Sequence, residues 1–191
     1  MKIAEDVYKI KGDGNVYLIL KPVPTIIDTS DQANSEYIKS EIEKIVPLNE
    51  IKIVLLTHLH YDHAGNVDIF PNAEFYADVR EIEDYKNNSE NFFFSDISKN
   101  TDEILKAKLK PLPKEIAKLE VIRVPGHTGG GVAFLDEKRK LLFSGDTIFA
   151  RGIVGRTDLP NSIPEKMEDS VKKLIKKIKE NKLLLCPGHD Y

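Results

Sequence analysis

Three histidines and an aspartate fall within six consecutive residues, His58-Leu59-His60-Tyr61-Asp62-His63, directly behind an apolar run and just ahead of Gly65. The whole chain of 191 residues holds only five histidines, so this crowding calls for a chemical reason. Imidazole nitrogens and carboxylate oxygens are the donors that zinc, iron and manganese sites use in proteins. The other two histidines stand in Pro125-Gly126-His127 and Pro187-Gly188-His189, and a further acid stands in Ser144-Gly145-Asp146. His58 and His60 are two apart, and in an extended loop alternate side chains point the same way, so both can face one ion. Asp62 and His63 lie further round the turn and can address a second. Seven donors exceed the need of one tetrahedral ion. Two ions about 3.5–4 Å apart, bridged by a carboxylate, would use them all. Asp146 is the natural bridge, being the acid not tied to the histidine loop.

The elements that must position these donors share one pattern: an apolar strand, a tight turn, then a potential ligand. It recurs from Val54-Leu55-Leu56 to His58, from Val121 to Val124 and on to His127, from Leu142-Phe143 to Asp146, and from Leu183-Leu184-Leu185 to His189. Loops that leave strand ends can converge, because the sheet fixes where each one starts. Further strands are expected over Val7 to Ile10 and Val16 to Leu20, paired across a Gly12-Asp13-Gly14-Asn15 turn, and over Thr25 to Ile27, closed by Asp28. Ile38, Ile42, Ile45 and Val46 share one helical face between Asn34 and Pro47. Ile51 to Leu56 reads as a strand buried on both sides. A strand at Ala73 to Ala77 and a charged helix near Val79 to Tyr85 follow. The polar stretch from Asn87 to Pro113 shows no clear period, and its Phe92-Phe93-Phe94 run is expected as core or packed loop. Strands over Leu119 to Val124, Gly131 to Leu135 and Leu141 to Ser144 come next. Ser162-Ile163-Pro164-Glu165 has the spacing of a capping box, ahead of a helix with Met167, Val171, Leu174, Ile175 and Ile178 on one face.

Composition bounds the rest. A net charge of −3 leaves no basic footprint for nucleic acid. The acidic start Met1-Lys2-Ile3-Ala4-Glu5-Asp6 is unlike a signal peptide, and no apolar run approaches the roughly 18 residues of a membrane span. With one cysteine, Cys186, no internal disulfide can form, and a cytoplasmic location is the expectation. Without a Gly- or Ser-rich linker, residues 1–191 read as a single domain of mixed strands and helices.

The motifs His58-x-His60-x-Asp62-His63, Pro125-Gly126-His127-Thr128, Ser144-Gly145-Asp146-Thr147 and Pro187-Gly188-His189 resemble those of the metallo-β-lactamase superfamily, and Asp28 matches that family's first motif. The resemblance runs from Asp28 to His189. It implies a four-layer αββα sandwich, two mixed β-sheets flanked by helices, with metals at one edge between the sheets. It also implies that His58, His60 and His127 hold the first metal, that Asp62, His63 and His189 hold the second, and that Asp146 bridges. Asp28 would orient ligands from behind, and Asp62 and Asp146 would be the catalytic carboxylates. Two divalent ions are implied, with zinc expected and iron or manganese also suited to these ligands.

Phe143 to Phe149 and Gly155-Arg156-Thr157-Asp158 look like the glyoxalase II-like branch, and Gly188-His189-Asp190-Tyr191 is similar to its Gly-His-Glu-Tyr. The resemblance implies a small-molecule thioester as substrate, with metal-bound hydroxide attacking its carbonyl. A persulfide dioxygenase built on one iron held by His58, His127 and Asp146 is the alternative, and a non-catalytic metal-binding scaffold is a third reading. Arg151 and Arg156 are the candidate anchors for an anionic substrate, and Tyr191 for a substrate oxygen. Because the sequence ends two residues after His189, the family's glutathione-binding region is expected to be missing. The metal, the acyl group, the thiol carrier and the oligomeric state are not encoded in these motifs.

Overall fold

The computed structural model describes residues 1–93 and 97–191. Two mixed sheets carry the described strands. The first runs in the order β1 (Lys2–Ala4), β2 (Val7–Ile10), β3 (Val16–Ile19), β4 (Thr25–Ile27), β5 (Ile53–Leu55), β6 (Glu74–Ala77) and β7 (Leu109–Pro111). Its first four strands pair antiparallel, and from β4 onward the pairs are parallel. The second holds β8 (Glu115–Ile116), β9 (Leu119–Arg123), β10 (Val132–Asp136), β11 (Leu141–Gly145) and β12 (Leu184–Pro187), in the order β12-β11-β10-β9-β8. There β11 and β12 pair parallel and the other pairs antiparallel.

Strand alternation sorts the side chains into layers. Tyr17, Ile19, Ile27 and Leu55 point from the first sheet toward Val132, Phe134, Leu141, Phe143 and Cys186 of the second, forming the core between the sheets. Leu18, Ile26 and Val54 point the other way. They pack under three helices, α1 (Ser35–Glu43), α3 (Val79–Asn87) and α4 (Lys99–Ala107), through Ile38, Ile42, Ile82, Tyr85, Ile104 and Leu105. The outer face of the second sheet, Ile122, Ala133, Leu135 and Leu142, is covered by Leu174 and its neighbours on α5 (Pro164–Asn181). The order is helix, sheet, sheet, helix, as the family resemblance implied. A one-turn helix, α2 (Tyr61–Ala64), belongs to the histidine loop.

This topology explains why the donors meet. The strands β4 and β5 are parallel neighbours, and so are β11 and β12, while β9 lies two antiparallel steps from β11 and therefore shares its direction. All five strands thus release their C-terminal loops, with Asp28, His58, His127, Asp146 and His189, toward one edge.

Several elements differ from the sequence reading. The stretch with no clear period holds α4 and β7; only Ile104 and Leu105 supply an apolar face there, with Thr101 as the third buried position, too short a run to show a period. Ser98 caps α4 by accepting the Thr101 N–H. Phe92 is buried against Tyr85, their ring centroids 5.5 Å apart, whereas Phe94 lies outside the described residues. The expected capping box is not formed. The N-cap of α5 is Ile163, without a side-chain cap, and the Ser162 hydroxyl donates to the His127 carbonyl oxygen at 2.7 Å instead. Among the described residues no helix is long and apolar enough to cross a membrane.

Candidate metal centre

Past β5 the chain stays extended, so Leu59 turns into the core while His58 and His60 turn toward the edge between the sheets. At Tyr61 it coils into α2, which swings Asp62 and His63 to a different side of the same space. The seven donors collect into overlapping clusters: His58 with His60 and His127, His58 with His63 and Asp146, and Asp62 with His63 and His189, each having ligand atoms within 4.8 Å of one another. His60 Nδ1 stands 3.0 Å from His127 Nε2, and His63 Nε2 stands 3.3 Å from His189 Nε2. Asp146 lies between the clusters, its oxygens 3.2 Å from His63 Nε2, 3.4 Å from His189 Nε2 and 3.6 Å from His127 Nε2. Asp62 Oδ2 lies 3.1 Å from His189 Nε2.

The far sides of the rings fix which nitrogen is free to ligate. His127 Nδ1 faces the Arg156 carbonyl oxygen at 2.8 Å, which can only accept, so the proton sits on Nδ1 and Nε2 keeps its lone pair. His60 reverses this arrangement, with Nε2 facing Asn161 Oδ1 at 3.2 Å and Nδ1 turned inward. His63 Nδ1 donates to Asp28 Oδ2 at 2.9 Å. His58 Nδ1 lies 3.0 Å from Thr57 Oγ1, whose hydroxyl donates to the same Asp28 oxygen at 2.8 Å, while Asp28 Oδ1 accepts the Thr57 N–H. Asp28 thus supports one histidine directly and another through a hydroxyl. Such outer partners fix ring orientation and tautomer in metal sites.

Electrostatics divide the centre into two halves. Burial, followed by the neighbouring imidazoles, holds His58 well below the ordinary histidine range. Burial likewise lowers His60, to about 4, and His127. These three rings are neutral donors at pH 7. Around His63 burial acts downward but is outweighed by Asp146, Asp62 and Asp28, which hold that ring well above its usual value. His189 is raised to about 9, burial opposing and the Asp146 and Asp62 carboxylates prevailing. Burial pushes Asp146 and Asp62 upward, yet the facing histidines keep both below the carboxylate norm.

The donor set fits divalent cations. Nitrogen pairs about 3 Å apart face each other, the outer nitrogens of His60, His127 and His63 are already satisfied, and buried His58 Nε2 finds no hydrogen-bond partner among the described residues. A cation among them resolves both features. Close backbone approach maintains the arrangement. A Cβ on Gly188 would stand 2.1 Å from Asp146 Oδ1, and one on Gly145, at φ +50°, would stand 2.7 Å from the Thr57 side chain. The His189 segment is anchored to the first sheet, with the Asn15 N–H donating to the Gly188 carbonyl at 2.7 Å and the Tyr17 hydroxyl to that of Pro187 at 2.8 Å.

A cavity of about 370 Å³ opens over the donors, its rim carrying Tyr61, Phe149, Ile153, Val154, Leu159 and Tyr191. The candidate substrate contacts Arg156 and Tyr191 line it, although Arg156 forks onto Asp158 through Nε at 2.7 Å and a second nitrogen at 2.8 Å. Tyr191 stacks on the His189 ring, centroids 5.4 Å apart. Arg151 is not among the lining residues; it sits exposed on a 3-10 turn at φ +60°. No sequence signal assigns Asn161, Thr57 or Ser162 to the site. Asn161 and Ser162 sit in the run ahead of α5, where polar residues are the normal expectation, and Thr57 adjoins His58 without any spacing signal of its own.

Comparison with known proteins agrees with this geometry. The family model described as "Metallo-beta-lactamase superfamily" matches residues 11–189. A relative named "Probable metallo-hydrolase MJ0888", from Methanocaldococcus jannaschii, is 30% identical, the match covering 96% of this chain and 92% of the relative. The hydroxyacylglutathione hydrolase GloC of Haemophilus influenzae is 30% identical over 86% of this chain and 78% of its own length. Among solved structures, TTHA1623 in a di-iron-bound form superposes with a TM-score of 0.73 at 26% identity, covering 97% of this chain and 92% of that one.

Proposed function

The chain belongs to the metallo-beta-lactamase superfamily and is a metallo-hydrolase of that fold, and from that premise we propose that it is a dinuclear thioester hydrolase of the glyoxalase II-like kind. The observation that carries the proposal is the convergence of seven donors into overlapping clusters, with Asp146 between the outer two and five of the seven lining one cavity. In this reading His58, His60 and His127 would hold one ion, Asp62, His63 and His189 would hold the other, and Asp146 would serve both. When bound, the pair of divalent ions, proposed as zinc, supplies Lewis acidity toward a carbonyl and activates water at neutral pH. The thioester reading draws its support from the likeness to GloC, whose name states hydrolysis of hydroxyacylglutathione.

The chain's own contribution is positioning and charge. Asp62 and Asp146 face the cavity as carboxylates whose pKa values are held low. Both are placed to orient a water molecule, and Asp62 is the proposed acceptor of its proton. The apolar rim offers Phe149, Ile153, Val154 and Leu159 as contact surface for the substrate, and the phenol of Tyr191 can donate to a substrate oxygen. Reaction forms a bond from the water oxygen to the acyl carbon and breaks the carbon–sulfur bond, releasing a carboxylic acid and a thiol. Arg156 is the proposed contact for an anionic portion of the substrate, reached when its guanidinium leaves Asp158.

The test is thiol release from S-lactoylglutathione and a panel of simple acyl thioesters by protein of measured metal content. Turnover that disappears on chelation and returns with added metal is expected. A fully metallated sample inert toward the whole panel would overturn the thioester reading, and one iron per chain with oxygen uptake on a persulfide would replace it.

A further inference from the structure

Glu81 is a carboxylate that the proposed hydrolysis does not use. It sits on the first turn of α3 with 1% of its surface exposed, and among the described residues no cation pairs with it. Its oxygens are both engaged by backbone: Oε2 accepts the Leu59 N–H at 3.1 Å and Oε1 accepts the Gly130 N–H at 2.9 Å. Leu59 is the residue between His58 and His60, and Gly130 is the third residue after His127. One carboxylate therefore joins the two loops that carry all three imidazoles of the first cluster.

The surroundings fit this connection. A Cβ on Gly130 would stand 2.6 Å from the Glu81 nitrogen and 2.8 Å from Glu81 Cγ, so the turn after His127 is pressed onto the start of α3. The same helix end is tied to β9, the strand leading to His127, because the N-cap Asp78 accepts both the Arg80 N–H and Arg123 Nε–H. Behind it, Ile82 and Tyr85 are buried in the core. The chemistry calls for a carboxylate, since two N–H donors arriving from different loops need two acceptor oxygens, and glutamine would turn its own N–H group toward one of them. Burial pushes Glu81 up to about 7 against the pull of the neighbouring Thr128 side chain and of these N–H bonds, so the fold keeps an acid where the charged form is disfavoured.

We propose that Glu81 is a positioning residue of the metal centre, its carboxylate clamping the His58–His60 loop to the His127 turn and setting the spacing of those three imidazoles. The clamp rests on the metal centre of the previous section and not on the thioester reading, so its test uses zinc and no substrate. Full-length wild type, Glu81→Gln and the exposed control Glu83→Gln are titrated with buffered zinc while the imidazole nitrogen shifts of the five histidines are followed by NMR. In Glu81→Gln, His58, His60 and His127 should require about 10–100-fold more free zinc, while His63 and His189 respond as in wild type; Glu83→Gln should match wild type throughout. All five histidines of Glu81→Gln responding at wild-type zinc levels would overturn the clamp, and so would equal weakening of both clusters. Wild type that binds no zinc would overturn the metal centre itself. Should Glu81→Gln fail to fold, amide hydrogen exchange in zinc-free wild type decides: shared protection of the Leu59 and Gly130 amides supports the clamp, and exchange of either at the rate of open loop amides overturns it.

Discussion

Replacing Asp28 with asparagine should weaken metal binding without unfolding the protein. Asp28 is 2% exposed and takes three donors: the Thr57 N–H and the Thr57 hydroxyl, each at 2.8 Å, and His63 Nδ1–H at 2.9 Å. Its φ of +55° is left-handed, a conformation asparagine also tolerates, so the backbone does not confound the substitution. An amide oxygen can keep the Thr57 N–H, but the amide nitrogen must then replace the oxygen that accepts from His63 and from the Thr57 hydroxyl. To accept from that nitrogen, His63 must move its proton to Nε2, the atom facing Asp146 and His189, and lose the lone pair it would offer a metal. Loss of such an outer carboxylate costs about 10–100-fold in metal affinity, or about 1.4–2.8 kcal/mol. Zinc affinity read by competition with a chromophoric chelator, beside a thermal unfolding scan, measures the effect. A folded Asp28→Asn variant holding both ions at wild-type affinity would refute the reasoning.

Asn161→Ala removes the acceptor facing His60 Nε2 at 3.2 Å and should lower zinc affinity by about tenfold, read in the same competition assay. Arg156→Ala should raise KM for a glutathione thioester while leaving kcat within about twofold, the pattern of lost ground-state binding; steady-state kinetics check it. Arg139→Ala strips the partner from Asp136, a buried carboxylate 2.6 Å from the guanidinium, and frees the Glu5 and Lys21 carbonyls that the same side chain holds. Because Arg139 itself is largely covered, a loss of about 3 kcal/mol in chemical unfolding is expected, with metal affinity per folded molecule unchanged.

How much was legible in the sequence follows from the range of each signal. The strand-to-ligand pattern is local, so the positions of His58, His127, Asp146 and His189 at strand ends could be read directly, as could the separate directions of His60 and His63 from their spacing. The outer partners are not local. Asn161 reaches His60 across 101 positions, and Glu81 reaches Gly130 across 49, and neither residue differs in type or spacing from ordinary surface polar residues. Ser162 shows the opposite failure. Its spacing to Glu165 fits a capping box, yet its hydroxyl is drawn to the carbonyl of His127, a competition that only the tertiary fold reveals. The α4 segment escaped because its buried face is completed by a threonine and not by a third apolar residue.

The most direct test is the rate of thiol release from an acyl thioester as zinc is added stepwise to the metal-free chain. Activity should be absent at the start and rise to a plateau near two ions per chain, with Asp146→Asn remaining flat throughout. A chain that takes up two ions and releases no thiol from any thioester, or one that reaches full activity with a single ion, would contradict the account.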